Sequence, residues 1–292
     1  SDEGGGWIMA SIIDGKAVAS EIRAKIKKDV EQLRSKGIVP GLAAVLVGDN
    51  PASQVYVRNK RKACEEAGIY SEEHKLPADL KQEELVKLVN DLNKDKKING
   101  ILIQLPLPKH IDSKVILDCV SPDKDVDGFH PYNVGRLTVG DPIFSPCTPY
   151  GVIVLLEHYG IKMDGMNAVV VGRSNIVGKP VALMLINRNA TVTVCHSRTK
   201  DLKERCREAD ILIVAAGRPR MIRGDMVKEG AVVVDVGINR EDNGGLVGDV
   251  DFEEVSKRAG WITPVPGGVG PMTIAMLLKN TVESAKRAAG LI

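Results

Sequence analysis

Apolar residues recur along this chain with alternating helical and strand-like periods, and that alternation defines its elements. From Asp14 onward Val18, Ile22, Ile26, Val30 and Leu33 fall at helical spacing, which puts them on one face; Asp14 can cap that helix and Gly37 can stop it. LAAVLVG (42–48) reads as a buried strand, and PASQVYVRNKRKACEEAG (51–68) as a helix with Pro51 in its first turn and Gly68 at its end. IYSEEHKL is a weaker strand, KQEELVKLVNDL a helix through Leu85, Leu88, Val89 and Leu92, and NGILIQLPLP a strand halted by Pro106 and Pro108. After the proline-rich DPIFSPCTPYG the series resumes with a helix near 149–159 and the strands NAVVVGRS, TVTVCHS, ILIVAAG, AVVVDVGI and WITPVPGG. A closing helix, TIAMLLKNTVESAKRAA, follows PVPGGVGPM, and periodicity leaves open which half it packs on.

Continuous Val/Ile runs, rather than apolar–polar alternation, indicate strands covered on both faces, as in parallel sheets. The expected architecture is therefore α/β, two units with a cleft between them. A length of 292 residues fits that division. With 40 basic and 38 acidic residues the net charge is +2, which lacks the one-sided positive field of a nucleic-acid binder. Five cysteines without a CxxC pair argue against a disulfide framework and a thiolate zinc site, and read as reduced thiols of a cytoplasmic protein. No apolar run approaches the ~20 residues a membrane span needs. The opening SDEGGGWIM has no basic segment before an apolar one and reads as added sequence ahead of a native Met9.

In the second unit the strand VVV runs into GRSNIVGKP. Gly172 permits a tight turn, Gly178 a close helix start, and Pro180 suits a first helical turn. Free backbone N–H groups at such a start would receive a pyrophosphate. The spacing is not GxGxxG, and a plain strand-to-helix turn reads the same way. The next strand, TVTVCHSRT, ends without the carboxylate that holds ribose hydroxyls in NAD-binding folds. Ser197 and Arg198, with Arg173, could instead hold an extra phosphate, which favours NADP; either arginine alone also fits a solvated surface charge.

In the first unit Ser53, Tyr56 and Lys60 share one face of the helix 51–68. Arg58, Arg61 and Lys62 make a merely basic surface the plain alternative. Gln104, at the carboxyl end of a strand in the same unit, weighs against it. DKDVDG (123–128) opens like a calcium loop, with Asp123, Asp125 and Asp127 at alternate positions. The twelfth position, however, is Val134, the ninth is Pro131, and Pro122 interrupts the incoming helix. No metal is expected, and Asp127 is free to accept two parallel N–H donors, as from the aminopyrimidinone edge of a pterin.

On these residues the chain resembles the bifunctional methylenetetrahydrofolate dehydrogenase/methenyltetrahydrofolate cyclohydrolase family. The resemblance runs from about Ile12 to Lys286 through YVRNK, ILIQLPLP, DKDVDGFHPYNVGRL, PCTPYG, VVVGRSNIVGKP and PVPGGVGPMT. It implies two three-layer α/β domains, the second a Rossmann-like parallel sheet for NADP. The expected boundaries are 9–146 plus 274–292 for a folate-binding catalytic domain and 147–273 for the NADP domain, the final helix crossing back to the first. It further implies Lys60 as general acid/base of the hydrolytic step, Gln104 tuning Lys60, Tyr56 with Ser53 positioning the folate, and Asp127 gripping the pterin. Gly172, Arg173, Ser174, Ser197, Arg198 and Ile238 match cofactor positions, and Gly267, Gly268 and Pro271 a loop bordering the substrate. Tetrahydrofolate derivatives are the expected partners, in a homodimer.

The implied reaction oxidises 5,10-methylenetetrahydrofolate with NADP and hydrolyses the product to 10-formyltetrahydrofolate. A free lysine, with a pKa near ~10.4, is almost wholly protonated at neutral pH. Burial, or positive charge from Arg58, Arg61 and the substrate cation, would lower it. Three alternatives remain at this point: a single-activity NAD-dependent methylenetetrahydrofolate dehydrogenase, a hydroxy-acid dehydrogenase similar to shikimate dehydrogenase with Lys60 and Asp127 handling protons, and a noncatalytic metal or nucleotide sensor.

Overall fold

The computed structural model describes residues 8–292; the reading of the opening as added sequence falls on residues 1–7, outside them. The described chain divides into two compact units, one of Ser20–Cys147 with Ile274–Ile292, the other of the residues up to Ala19 with Thr148–Thr273. The opening segment thus differs from the expected boundary. Ser11–Ile12 forms a strand that pairs in parallel with Trp261–Ile262, and this backbone pairing draws it into the sheet of the C-terminal unit.

The unit of residues 20–147 has a parallel sheet of three strands in the order Tyr70–Leu76, Gly41–Val47, Gly100–Ile103. The central strand GLAAVLV is buried along its whole length, whereas YSEEHKL is an edge strand in partial contact with solvent. Helix Gln82–Lys94 lays Leu85, Val89 and Leu92 against Val45, Ile101 and Ile103. Each such aliphatic side chain, taken out of water, stabilises the unit by roughly 1.5–3 kcal/mol. Helix Pro51–Ala67 begins where the Asn50 side chain accepts the Ser53 N–H at 3.0 Å and ends at Gly68, whose φ of 79° admits the left-handed cap.

The other unit holds a six-stranded parallel sheet in the order Ser11–Ile12, Trp261–Ile262, Val232–Asp235, Ile211–Val214, Asn167–Val171, Thr191–Cys195. Strands ILIV and VVVD are buried throughout, as their apolar runs imply. Thr191–Cys195 departs from that rule: it is the edge strand, and only Cys195 is buried. Strand order reverses around Asn167–Val171, whose neighbours are the next strand in the chain on one side and Ile211–Val214 on the other. Such a switch point opens a crevice at the carboxyl ends of the strands.

Periodicity missed the short pieces: helices Ser113–Cys119 and Pro131–Thr138 and the hairpin of Asn239–Arg240 with Leu246–Val247. Helix Val269–Ala288 begins earlier than expected, inside PVPGGVGPM, with Pro271 in its first turn. No described helix is long and apolar enough to cross a membrane.

Candidate active site

Helix Pro51–Ala67 carries Ser53, Tyr56 and Lys60 on one side, and strand Gly100–Ile103 delivers Gln104 at its carboxyl end. Lys60 Nζ donates to Gln104 Oε1 at 3.0 Å. Gln104 is 8% exposed, and its Nε2 donates to the Leu105 carbonyl at 3.3 Å. That second bond fixes the amide so that its oxygen faces the lysine. Tyr56 is exposed over nearly half its surface and Ser53 is buried. Arg61 does not supply the nearby positive charge expected of it: it reaches Glu73 at 3.0 Å and Glu65 at 3.7 Å.

The loop DKDVDG does not gather its carboxylates. Asp125 is buried and accepts N–H groups from Phe129 at 3.2 Å, His130 at 2.8 Å and the Asn133 amide at 2.9 Å. It is spent on closing its own turn, while Asp123 is exposed. Among the described residues no group of three or more His, Cys, Asp or Glu side chains is placed to hold a metal. Asp127, half-buried, lies within electrostatic reach of Lys60. Burial pushes its carboxyl up to about 7, the lysine opposing that rise and Asp125 adding to it. Gly128 turns with a φ of +73°, and a Cβ there would stand 2.7 Å from the Phe144 carbonyl oxygen.

Cys147 and Asn280 complete this neighbourhood. Burial, then the Asp127 charge, pushes the Cys147 thiol well above its ordinary range. Asn280, from the final helix, donates its amide to the carbonyls of Val126 at 2.9 Å and Ser145 at 3.1 Å. It thereby holds the backbone next to Asp127.

In the other unit Gly172 ends strand Asn167–Val171 with a φ of +125°, and a Cβ there would stand 2.2 Å from the Ala215 carbonyl oxygen. Only glycine fits both demands. Gly178 is equally confined, its Cβ position lying 2.3 Å from the Gly172 carbonyl oxygen. The Ser174 hydroxyl accepts the N–H groups of Val177 at 3.1 Å and Gly178 at 3.3 Å, so the helix start itself is not where donors remain. They remain one turn earlier: among the described residues the N–H groups of Arg173, Ser174, Asn175 and Ile176 have no protein acceptor, and the loop is exposed. This is a cradle of the kind that takes a pyrophosphate.

Val171 pairs with Cys195 across the two strands, so the loops that carry Arg173 and Ser197–Arg198 both leave the sheet at the same carboxyl end. Neither arginine pairs with a carboxylate among the described residues. Ile238, 52% exposed, lines a cavity of about 130 Å³ together with Gly267, Gly268 and Pro271. The residues expected to bind a dinucleotide thus lie within one unit and fit that group; Ser53, Tyr56, Lys60, Gln104 and Asp127 lie within the other, where Lys60 meets Gln104 and stands within electrostatic reach of Asp127. Sequence reasoning passed over Asp235 and Asp249, both buried. Their signal was the recurrence of Asp, Val and Gly in DVG (235–237) and GDV (248–250).

A parallel sheet with a glycine turn, an exposed N–H cradle and unpaired arginines at its switch point defines a dinucleotide-dependent α/β enzyme. The family model described as tetrahydrofolate dehydrogenase/cyclohydrolase, catalytic domain, matches residues 13–127, and its NAD(P)-binding domain matches 146–289. The "Bifunctional protein FolD" of Moorella thermoacetica is 66% identical over 278 residues, 95% of this chain and 99% of that protein. The crystal structure of the bifunctional enzyme FolD, methylenetetrahydrofolate dehydrogenase/cyclohydrolase, from Campylobacter jejuni is 57% identical with a TM-score of 0.94, covering 95% of this chain and 99% of that one. A Trypanosoma brucei methylenetetrahydrofolate dehydrogenase-cyclohydrolase, complexed with NADP cofactor and an inhibitor, is 44% identical with a TM-score of 0.92, covering 96% and 99%. The chain belongs to the tetrahydrofolate dehydrogenase/cyclohydrolase family.

Proposed function

We infer that this protein oxidises 5,10-methylenetetrahydrofolate to the 5,10-methenyl compound with NADP and hydrolyses that to 10-formyltetrahydrofolate. NADP, when bound, supplies the acceptor for hydride. Arg173, Ser197 and Arg198 would hold its additional phosphate and the Gly172–Ile176 loop its pyrophosphate, with Ile238 beside them. Folate nitrogens stabilise the cationic product, so the protein's part in the first step is orientation. Tyr56 and Ser53 position the folate, and Asp127 grips the pterin.

The second step moves protons: one leaves the water that adds to the methenyl carbon, and one reaches the ring nitrogen as its bond to that carbon opens. Lys60 handles them, with Gln104 holding its amine. The observation that carries this reading is the 3.0 Å bond from Lys60 to an amide that is itself tied at its other end. Lys60→Met is expected to lose hydrolysis of methenyltetrahydrofolate by at least ~10²-fold, the loss typical of a positioned acid/base. The test is a spectrophotometric assay that follows the rise and then the decay of methenyl absorbance. Undiminished decay in the variant would remove Lys60 from the role.

The family habit makes a homodimer the expected form, and the uncovered edge strand Thr191–Cys195, with Val194 40% exposed, offers one surface for it. The cytoplasm is the expected compartment, in keeping with five free cysteines, of which Cys64, Cys147, Cys195 and Cys206 are buried. Sedimentation of the purified protein would test the dimer.

A further inference from the structure

The chemistry assigned above makes no use of Asp235 and Asp249, which are 4% and 0% exposed. They stand on either side of the small hairpin 239–247 and interlock. A Cβ on Gly248 would stand 1.7 Å from Asp235 Oδ2, and one on Gly237 would stand 2.2 Å from Asp249 Oδ1. Each acid therefore occupies the space that the glycine beside the other leaves open. Asp235 accepts the N–H groups of Gly237 and Asp249 at 3.0 Å and of Val250 at 3.1 Å. It braces its partner.

Asp249 reaches outward. Its Oδ2 accepts the N–H groups of Ala216 at 2.7 Å and Gly217 at 2.9 Å, and its Oδ1 accepts the Asn239 amide at 2.9 Å. Burying a carboxylate is costly unless donors replace its water, and apolar side chains would fill the same space without that cost. The donors it gathers are informative. Ala216 and Gly217 follow strand Ile211–Val214, and the neighbouring Ala215 carbonyl is the group pressed against Gly172. They form the bank of the switch point opposite the phosphate loop. Asn239 directly follows Ile238.

We propose that Asp249, braced by Asp235, is a positioning residue for NADP: it sets the backbone of Ala216–Gly217 and of Ile238–Asn239 in the arrangement that receives the dinucleotide. This rests on the reading that the unit binds NADP. The amide of Asp249→Asn would turn a donor toward the N–H groups of Ala216 and Gly217, and Asn239→Ala would remove one donor while leaving both acids in place. Calorimetric titration with NADP of the parent and both variants is the test, with thermal unfolding and steady-state kinetics alongside. The expected result is a Kd raised on the order of tenfold in Asp249→Asn and about threefold in Asn239→Ala. The kinetic loss should fall on KM for NADP rather than on KM for the folate.

A variant that loses melting temperature but binds NADP like the parent overturns the proposal. If Asp249→Asn does not fold, Asn239→Ala decides alone: weaker NADP binding supports the proposal and unchanged binding overturns it. A parent that binds no NADP would instead strike the functional reading itself.

Discussion

At the scale of single residues, Asp127 makes the sharpest prediction. Its carboxyl titrates at about 7 in the folded chain against an ordinary 3.8. Between those values folding takes up a proton, so this group's contribution to stability falls as pH rises through that window. Asp127→Asn is expected to be more stable than the parent near pH ~8, by about 1–2 kcal/mol once its partial exposure is allowed for, and equal to it near pH ~4. Urea titrations at the two pH values check this, and a constant difference would contradict it. Gln104→Ala is expected to slow hydrolysis on the order of tenfold while leaving the oxidation nearly intact, since it frees the lysine rather than removing it. Lys60 and Gln104 were legible in the sequence because helical spacing and a strand end locate them. The direction of Arg61 was not, because its partner Glu73 lies on a neighbouring strand, whose place only the fold reveals.

At the scale of elements, the glycine that ends Asn167–Val171 is the part least able to change. Gly172→Ala would combine a φ of +125° with a Cβ 2.2 Å from the Ala215 carbonyl. A loss of about 2–4 kcal/mol is expected, with NADP binding weakened in parallel, as thermal unfolding and calorimetry would measure. The strands ILIV and VVVD were legible from apolar runs alone, since burial on both faces leaves no polar alternation. TVTVC was assigned correctly as a strand but not as an edge, because strand order is a property of the sheet. Two-residue strands such as Ser11–Ile12 carry too few positions to show a period at all. The free donors of the phosphate loop were expected at the helix start, and lie one turn before it because the Ser174 hydroxyl caps that start itself.

At the scale of the whole molecule, the two-part architecture followed from the repeated alternation of strand and helix, but the allegiance of the chain's opening did not. It depends on Ser11 pairing with Trp261, a contact that no local pattern signals. Each division between the units falls inside a helix, Gly15–Ser35, Cys147–His158 and Val269–Ala288. The unit that bears Lys60 is therefore discontinuous in sequence. Its last piece brings Asn280 to Val126 and Ser145, and sets the Ser284 hydroxyl 2.6 Å from the Asn99 carbonyl. Asn280→Leu is expected to destabilise the protein by about 2–3 kcal/mol, leaving the buried Ser145 carbonyl without a donor and the Val126 carbonyl with only the weak Cys147 thiol at 3.5 Å, as chemical denaturation would show. The same arrangement governs synthesis. Residues 20–147 leave the ribosome early but wait for the final helix to close over them, so a chain released before that helix is translated should hold neither activity, however much of the lysine-bearing segment it contains.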